Sequence, residues 1–450
     1  MTGLGGRVHL VGIGGDGMAG LAHLLREGGA TVSGSDVRDS PRLRALRLWA
    51  EVHVGHRAEH LPENADAVVF SSAIAHDNPE LVAAQGIPIW PRLPALREVL
   101  RGRELVAVVG THGKTTTTTW IAHLVRAVTG EGGHYVGGEV PGLPSATLGG
   151  GKAFVAEVDE SDGYFTCLEP AVAVLTSVDN DHVGTYGGFA GLQGAFTRFL
   201  ARAKKAAVCA DDPVAARLGL ELQRPLTYGL SEDADVRAVG IEYHRERAAC
   251  ELLVHGRPSG EVEVPGPGAH NVRNALGALS AGMLLGLPLP ALADALRTAP
   301  RPRRRLEVLE ENGYLVVDDY AHHPTEVAAG LAALRVGWPE RRIVAIFQPH
   351  RYSRTKALAG AFGQVLARAD CVVVTEIYPA FERPIPGVSG RQVADAVQAA
   401  GGRAVFRAGL AGAMDAAAEV IRPGDVVVCF GAGDIWRLAR EMARGLSYGY

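Results

Sequence analysis

The segment with the clearest chemical meaning is a glycine-bearing turn formed by Gly110, Thr111, His112, Gly113, Lys114, Thr115 and Thr116. It follows the apolar run Leu105–Val109 and precedes a predicted helix from Trp120 to Ala127. In such a strand–turn–helix unit, backbone N–H groups hold phosphates, the lysine reaches the terminal phosphates and the hydroxyl binds Mg²⁺. The turn is shorter than the common P-loop, because Val108 stands where that motif has its first glycine. A glycine turn with a surface lysine fits this context poorly, so we predict a nucleoside triphosphate site.

Acidic residues follow two further predicted strands. Phe154–Glu157 runs directly into Val158–Asp162, where crowded carboxylates repel each other unless a cation or a cationic partner offsets their charge. We therefore interpret Glu157 as a Mg²⁺ ligand or a water-orienting group, although an acidic helix N-terminus would have the same composition. The next strand, Val172–Thr176, leads to Asp179–His182. Beside a phosphate loop, a metal role for His182 is favoured over a structural or surface role.

An earlier glycine loop has the spacing of a dinucleotide fingerprint. Gly12, Gly14, Gly15 and Gly17 follow a predicted strand, and Asp36 ends the next strand, where an acid can bind ribose. NAD or FAD is the direct interpretation, but it leaves the separate triphosphate loop unexplained. A UDP-type nucleotide sugar also carries a diphosphate and a ribose, so we favour it.

Other polar residues allow more than one role. Asn271 and Asn274 begin a predicted helix, where an asparagine amide can pair with a purine edge or cap the helix. Arg351 and Arg354 follow the predicted strand Arg342–Phe347, and their guanidinium groups suit a carboxylate or acyl-phosphate oxygens. Surface salt bridging is the alternative for both arginines.

The elements that position these residues form three successive α/β series. We predict an α/β protein with a Rossmann-like domain over residues 1–103, a central P-loop ATPase domain over 104–300 and a Rossmann-like C-terminal domain over 301–450. A chain of 450 residues is too long for one core, which agrees with this division. The break Pro300-Arg301-Pro302 marks the second boundary.

Composition restricts the partners. A net charge of -4 gives no reason to expect nucleic acid or an anionic membrane. The arginine-rich segment 301–305 is a local exception. A solvated linker is its simplest interpretation, and a hinge formed by Arg304 and Arg305 at the domain boundary is the alternative. The five scattered cysteines indicate buried free thiols, and neither a leader nor a membrane-length apolar run is present, so we expect a cytoplasmic protein.

Taken together, the motifs resemble those of the Mur ligase family over nearly the whole chain, and most closely its alanine-adding branch. The resemblance rests on these segments: 12–20, 71–74, 110–117, 157–162, 179–182, 270–274, 318–326, 347–355 and 431–435.

The resemblance implies a reaction and a division of labour. An ATP-dependent ligase would convert the lactyl carboxylate of UDP-N-acetylmuramate to an acyl phosphate, from which L-alanine displaces phosphate, in cytoplasmic peptidoglycan precursor synthesis. It implies a monomer or homodimer that needs ATP and Mg²⁺, with Thr115, Glu157 and His182 at the metal and Lys114 at the phosphates. Further implied contacts are Met18, Ser71, Ser72 and Ala73 for the UDP-sugar, Asp319 for the ATP ribose, and Tyr320, His322, His323, Arg351 and Arg354 for the amino acid.

The chain departs from the family pattern at Ser177, where asparagine is usual, and at Phe381, where a small residue is usual. No lysine lies between His182 and Arg202, so we expect no carbamylated lysine. Two rivals remain open: a ligase that attaches a recycled tripeptide to the same sugar, and a sensor that binds both ligands without catalysis.

Overall fold

The computed structural model describes residues 4–181 and 183–447. The described chain forms two compact units. The first unit contains the residues up to Gly240 together with Cys250–Glu263 and Arg273–Pro300, and the second contains Ile241–Ala249, Val264–Val272 and the chain from Arg301. Among the described residues, no helix combines the length and the apolar character needed to cross a bilayer.

The N-terminal part of the first unit is a parallel five-stranded sheet in the order β3-β2-β1-β4-β5. Its helices pack on apolar strands, as predicted for an α/β domain. The sheet is built from β1 (Arg7–Val11), α1 (Asp16–Glu27), β2 (Thr31–Asp36), α2 (Pro41–Leu46), β3 (Glu51–Val54), β4 (Ala67–Phe70), α3 (Pro79–Ala83), β5 (Ile89–Pro91) and α4 (Arg92–Val99).

The central sheet has the strand order β15-β14-β13-β12-β11-β10-β6-β9-β7-β8. Its parallel part places the carboxyl ends of β9 and β10 on either side of β6, where ligands of such sheets bind. The elements are β6 (Glu104–Val109), α5 (Lys114–Thr129), β7 (Gly133–Tyr135), β8 (Ala146–Thr147), β9 (Ala153–Glu157), β10 (Val172–Leu175), α6 (Phe189–Leu200), β11 (Lys205–Cys209), α7 (Pro213–Gly219), β12 (Leu226–Gly229), β13 (Val236–His244), β14 (Arg247–Val254), β15 (Arg257–Pro265), α8 (Ala269–Leu284) and α9 (Leu289–Leu296). Short 3₁₀ turns occupy Ala58–His60, Tyr164–Cys167 and Val183–Tyr186.

The C-terminal sheet has the order β16-β17-β21-β18-β19-β20, and only β16 runs antiparallel to its neighbour. Apolar clusters cover both faces, as expected for a doubly wound domain. The elements are β16 (Glu307–Asn312), β17 (Tyr314–Asp319), α10 (Pro324–Gly337), β18 (Ile343–Phe347), α11 (Tyr352–Leu366), β19 (Cys371–Val374), α12 (Arg391–Ala399), β20 (Ala404–Phe406), α13 (Gly409–Val420), β21 (Val426–Phe430) and α14 (Trp436–Ser447).

Helix α5 begins earlier than the sequence analysis placed it. Five consecutive threonines, Thr115–Thr119, are β-branched and favour helix weakly. All five are buried, and the Thr119 hydroxyl donates to the Thr115 carbonyl at 2.7 Å. Packing therefore imposes the helix on this segment from Lys114 onward.

All five cysteines are free, as predicted. Cys209, Cys250 and Cys429 are buried as predicted, whereas the prediction of burial was wrong for Cys167 and Cys371, which are partly accessible. Burial raises the pKa of the Cys209 and Cys250 thiols to about 11. The buried thiols therefore stay protonated and unreactive.

Candidate active site

The loop between β6 and α5 has a shape that depends on two of its glycines. Gly110 and Gly113 both have positive φ, at +130° and +83°. A Cβ on Gly110 would lie 2.3 Å from the Thr176 hydroxyl, and one on Gly113 would lie 2.5 Å from the Asn274 side-chain oxygen. Asn274, a predicted ATP-binding residue, therefore touches the phosphate loop itself.

The carboxyl end of β10 supports this loop from below. The Ser177 carbonyl accepts a hydrogen bond from the Thr111 N–H at 3.0 Å, and the Ser177 hydroxyl accepts one from the His112 N–H at 3.0 Å. The Thr111 hydroxyl accepts from the Asp179 N–H at 2.9 Å, and His112 Nε2 lies 3.1 Å from the Asp179 carboxylate. The departure at Ser177 thus gives the loop a direct hydroxyl support.

Lys114 is held inside the loop by a buried carboxylate. Its Nζ lies 2.9 Å from Glu160, and it also donates to the carbonyls of Gly110 and Thr111. Burial opposes the charge of Lys114, but Glu160, Asp159 and Glu157 outweigh burial and raise its pKa. The ammonium group therefore stays charged, as a phosphate-binding lysine must. Glu160 lay in the acidic run noted in the sequence, but its pairing with Lys114 was not predicted.

Glu157 and Thr115 form the oxygen-rich part of the site. The Thr115 hydroxyl donates to one Glu157 oxygen at 2.9 Å, and the Gly137 N–H donates to the other at 2.8 Å. A hydroxyl and a carboxylate beside a phosphate loop are the oxygen ligands that a hard divalent cation takes. The two side chains thus fit the predicted Mg²⁺ site. His182, the third predicted ligand, lies outside the described residues.

The glycine loop of the N-terminal domain is tied to the end of β2. The Ser35 carbonyl accepts from the N–H groups of Gly12 and Ile13, at 2.8 and 3.0 Å. The Asp36 carboxylate accepts from the Gly14 N–H at 3.0 Å. This acid, which was predicted to contact ribose, therefore also holds the glycine loop in place. Among the other residues predicted for the UDP-sugar, Gly15 precedes α1, Met18 is buried in the core, and Ser71, Ser72 and Ala73 follow β4.

Within the first unit, contacts that the sequence did not predict connect the glycine loop with the central sheet. Arg92 donates to the Tyr135 hydroxyl at 2.8 Å, and that hydroxyl donates to the Gly17 carbonyl at 2.8 Å. Arg92 also lies 3.7 Å from Asp159, in the acidic run after β9. A Cβ on Gly17 would lie 2.4 Å from Arg92 Nη1 and 2.7 Å from the Tyr135 hydroxyl, so a larger residue there would displace these two side chains. The position of Arg92 directly after β5 was the only sequence signal for it.

In the second unit, Asp319 ends β17 and is engaged by backbone. It accepts from the N–H groups of Leu306 at 2.9 Å and Ala321 at 2.7 Å. Burial outweighs these donors and raises the pKa of Asp319 to about 6. Asn271 is also buried, and its amide donates to the Pro267 carbonyl at 2.9 Å. Asp319 and Asn271, both predicted to contact ATP, are therefore hydrogen-bonded to the backbone of the protein itself.

The residues predicted for the amino acid gather at the carboxyl ends of β17 and β18. The ring of His322 packs edge-on against Tyr320 and His350, with centroids 5.3 and 5.6 Å apart. Arg354 is buried, and its Nη1 lies 3.3 Å from His350 Nδ1. Burial lowers the pKa of His322 to about 4, so this imidazole is neutral at physiological pH.

Arg351 has an unusual backbone and an unsatisfied donor. Its φ is +71°, and its N–H donates to the Tyr378 carbonyl at 2.8 Å. Its buried Nε has no hydrogen-bond partner within the described chain, so this donor is suited to binding an anion. The ring of His323, which was also predicted for the amino acid, accepts from the Thr325 N–H and caps α10, and Glu326 completes a capping box.

The arginine-rich segment 301–305 is not a solvated linker, and that interpretation was wrong. Arg301 donates to the carbonyls of Arg305 and Leu306, both at 2.8 Å. Arg304 pairs with Asp318 at 3.2 Å and donates to the Gly431 carbonyl. These cations satisfy backbone carbonyls and the buried carboxylate of Asp318 near the carboxyl end of β17.

Phe381 lies on an exposed turn. It is 75% exposed, and both it and Ala380 have positive φ, at +72° and +46°. Left-handed backbone favours glycine, so this turn is conformationally strained.

Three family models match consecutive parts of the chain. They are the Mur ligase family catalytic domain over residues 7–104, the Mur ligase middle domain over 108–282 and the Mur ligase glutamate ligase domain over 304–433.

Similar proteins include UDP-N-acetylmuramate–L-alanine ligases of Halorhodospira halophila and Oleidesulfovibrio alaskensis. The first is 43% identical, over 98% of this chain and 94% of its own length. The second is 44% identical, over 96% of this chain and 97% of its own length. The crystal structure of the UDP-N-acetylmuramate–alanine ligase of Thermotoga maritima matches with a TM-score of 0.84 and 29% identity, covering 99% of this chain and 100% of that one.

Proposed function

Because this chain belongs to the Mur ligase family, we propose how its site activates a carboxylate with ATP and joins it to an amino acid. The chain acts as an ATP-dependent ligase of UDP-N-acetylmuramate and L-alanine in peptidoglycan synthesis. The reacting carboxylate is the lactyl group of the sugar, and an acyl phosphate is the activated intermediate. The fold is the three-domain α/β architecture of the family.

One observation supports this chemistry most directly. Lys114 and Thr115 are adjacent in the first turn of α5, yet they contact two different carboxylates. Glu160 pairs with the lysine, and Glu157 accepts a hydrogen bond from the Thr115 hydroxyl. A carboxylate that attacks a triphosphate needs its negative charges offset. We assign Lys114 to the phosphates, and Thr115 and Glu157 to Mg²⁺. The cation would offset charge on the transferring phosphoryl group.

The glycine loop after β1 supports binding of the UDP-sugar. The loop leads directly into the N-terminus of α1, and a helix N-terminus suits a diphosphate. Gly17 leaves room for Arg92, which ties this loop to the acidic run after β9. We propose that this arrangement holds the sugar nucleotide on the N-terminal domain, with Asp36 near its ribose.

The C-terminal unit supports the amino-acid assignment. The unsatisfied Nε of Arg351 and the buried Arg354 suit the carboxylate of L-alanine, and Tyr320 and the neutral His322 line the same strand ends. The amine of alanine attacks the acyl carbon, the bond to phosphate breaks, and inorganic phosphate leaves. Asp319, Asn271 and Asn274 remain our candidates for the adenosine side of ATP.

Phosphate release from ATP tests this function directly. With UDP-N-acetylmuramate and Mg²⁺ present, release should require L-alanine. Release only with the tripeptide would assign the chain to peptide recycling. Binding of both nucleotides without release for either acceptor would identify a sensor and refute the catalytic assignments. We also propose a cytoplasmic location and a monomer or homodimer, which light scattering and cell fractionation would check.

A further inference from the structure

A second cluster of titratable side chains lies in the N-terminal domain. Its centre is Glu80, in the first turn of α3, whose side chain is 0% exposed. One carboxylate oxygen accepts from the Ser35 hydroxyl at 2.6 Å and lies 3.0 Å from His9 Nε2. The other accepts from the Arg57 N–H at 3.1 Å and lies 3.3 Å from His56 Nδ1. None of these residues takes part in the proposed reaction.

Several donors keep this buried carboxylate ionised. Burial would raise the pKa of Glu80, but the hydrogen bonds from His9 and Ser35, the charge of His9 and the Arg57 N–H lower it to about 2. His60 Nδ1 lies 3.5 Å from the same carboxylate. A buried anion with this many partners loses stability when any one of them is removed.

The cluster connects to the glycine loop through Ser35. The hydroxyl of Ser35 binds Glu80 and lies 2.9 Å from His56 Nδ1, while its carbonyl binds the N–H groups of Gly12 and Ile13. The next residue, Asp36, holds the Gly14 N–H. Three consecutive N–H groups of the loop are therefore fixed by two residues, and Glu80 anchors the first of the two.

We propose that Glu80 is a positioning residue for the UDP-sugar. It fixes Ser35, and Ser35 with Asp36 fixes the glycine loop in the shape that receives the diphosphate. The proposal rests on the proposed function of that loop. It predicts that disturbing the cluster weakens sugar-nucleotide binding while the phosphoryl-transfer step, which takes place in the central domain, keeps its rate.

Two variants test this, with a matched control. Glu80→Gln places an amide N–H₂ against donors that need an acceptor, and Ser35→Ala removes only the connecting hydroxyl. Each should raise KM and the calorimetric Kd for UDP-N-acetylmuramate about tenfold, while kcat and the KM values for ATP and L-alanine change less than about twofold. The control is Asp66→Asn, because Asp66 accepts from the Arg7 N–H at 2.7 Å at the opposite end of β1.

The outcomes separate positioning from general stability. If both variants lower the melting temperature but leave KM and Kd for the sugar nucleotide unchanged, the cluster is only structural and the proposal is wrong. An equal KM increase in Asp66→Asn would also overturn it. Should Glu80→Gln fail to fold, Ser35→Ala carries the test. If the wild type releases no phosphate with L-alanine, the proposed function fails, yet the calorimetric comparison still tests the positioning.

Discussion

Removing Lys114 should damage both stability and catalysis, and the structure allows the two effects to be separated. Lys114 and Glu160 are only 15% and 2% exposed at their side chains and lie 2.9 Å apart. Lys114→Met would leave a buried carboxylate without its cation, which costs roughly 3–5 kcal/mol. For a domain of this size, that corresponds to a decrease in melting temperature of roughly 6–20 °C.

The double variant Lys114→Met with Glu160→Gln should recover most of that stability. It removes both charges, so no buried carboxylate is left without its cation. Replacing a buried ion pair by neutral groups of similar volume is often nearly neutral. Phosphate release should remain absent in both variants, because neither supplies a cation to the phosphates.

Thermal unfolding at several pH values is the appropriate assay, with calorimetric binding of UDP-N-acetylmuramate as the control for folding. Burial raises the pKa of Glu160 even in the wild type. Without the lysine, the folded state favours the protonated form of Glu160. The decrease in unfolding free energy of the single variant should therefore become smaller as the pH falls. This account of the pair would be refuted if the single variant melted at the same temperature as the wild type. It would also be refuted if the double variant melted at a lower temperature than the single variant.

Three further predictions concern separate positions. Glu157→Gln should raise the Mg²⁺ concentration for half-maximal phosphate release more than about tenfold, since the amide replaces a charged oxygen; an unchanged Mg²⁺ titration would remove Glu157 from the metal site. Folding holds the proton of Asp319 up to a pH of about 6, whereas the unfolded chain loses it near pH 4. The contribution of Asp319 to the unfolding free energy should therefore decline by roughly 3 kcal/mol between pH 4 and 6. In denaturant titrations, the difference in unfolding free energy between the wild type and Asp319→Asn should change by that amount over this pH range, and an unchanged difference would contradict the assignment. Phe381→Gly should raise the unfolding free energy by up to about 1 kcal/mol, because the left-handed backbone is relieved and the exposed ring gives up little burial; a destabilised variant would show that the ring is packed.

The fold was predictable where strands are buried on both faces. The run Leu105–Val109 is continuously apolar and was recognised directly as a strand. The antiparallel edge strand Glu307–Asn312 was missed because its sequence, EVLEEN, is mostly polar. The start of α5 was missed because its threonines favour strands in isolation and adopt helix only when packed.

The candidate site was predictable where a motif contains its own partners. The phosphate loop carries its glycines, lysine and hydroxyl within seven residues, so spacing alone revealed it. Arg92 and Tyr135 meet across 43 positions of sequence, and Lys114 and Glu160 across 46, and no local spacing encodes such pairs. The role of His323 as a helix cap also appeared only with the capping box in place.

The distribution of thiols makes the protein suited to site-selective labelling. Three of the five cysteines are buried, leaving Cys167 in the first unit and Cys371 in the second as the partly accessible pair. Burial raises the pKa of both accessible thiols, so maleimide coupling should proceed slowly at neutral pH and faster in mildly alkaline buffer. A donor and an acceptor fluorophore can thus be attached without engineering new cysteines. Energy transfer between the two fluorophores would report, in solution, whether nucleotide or sugar changes the distance between them.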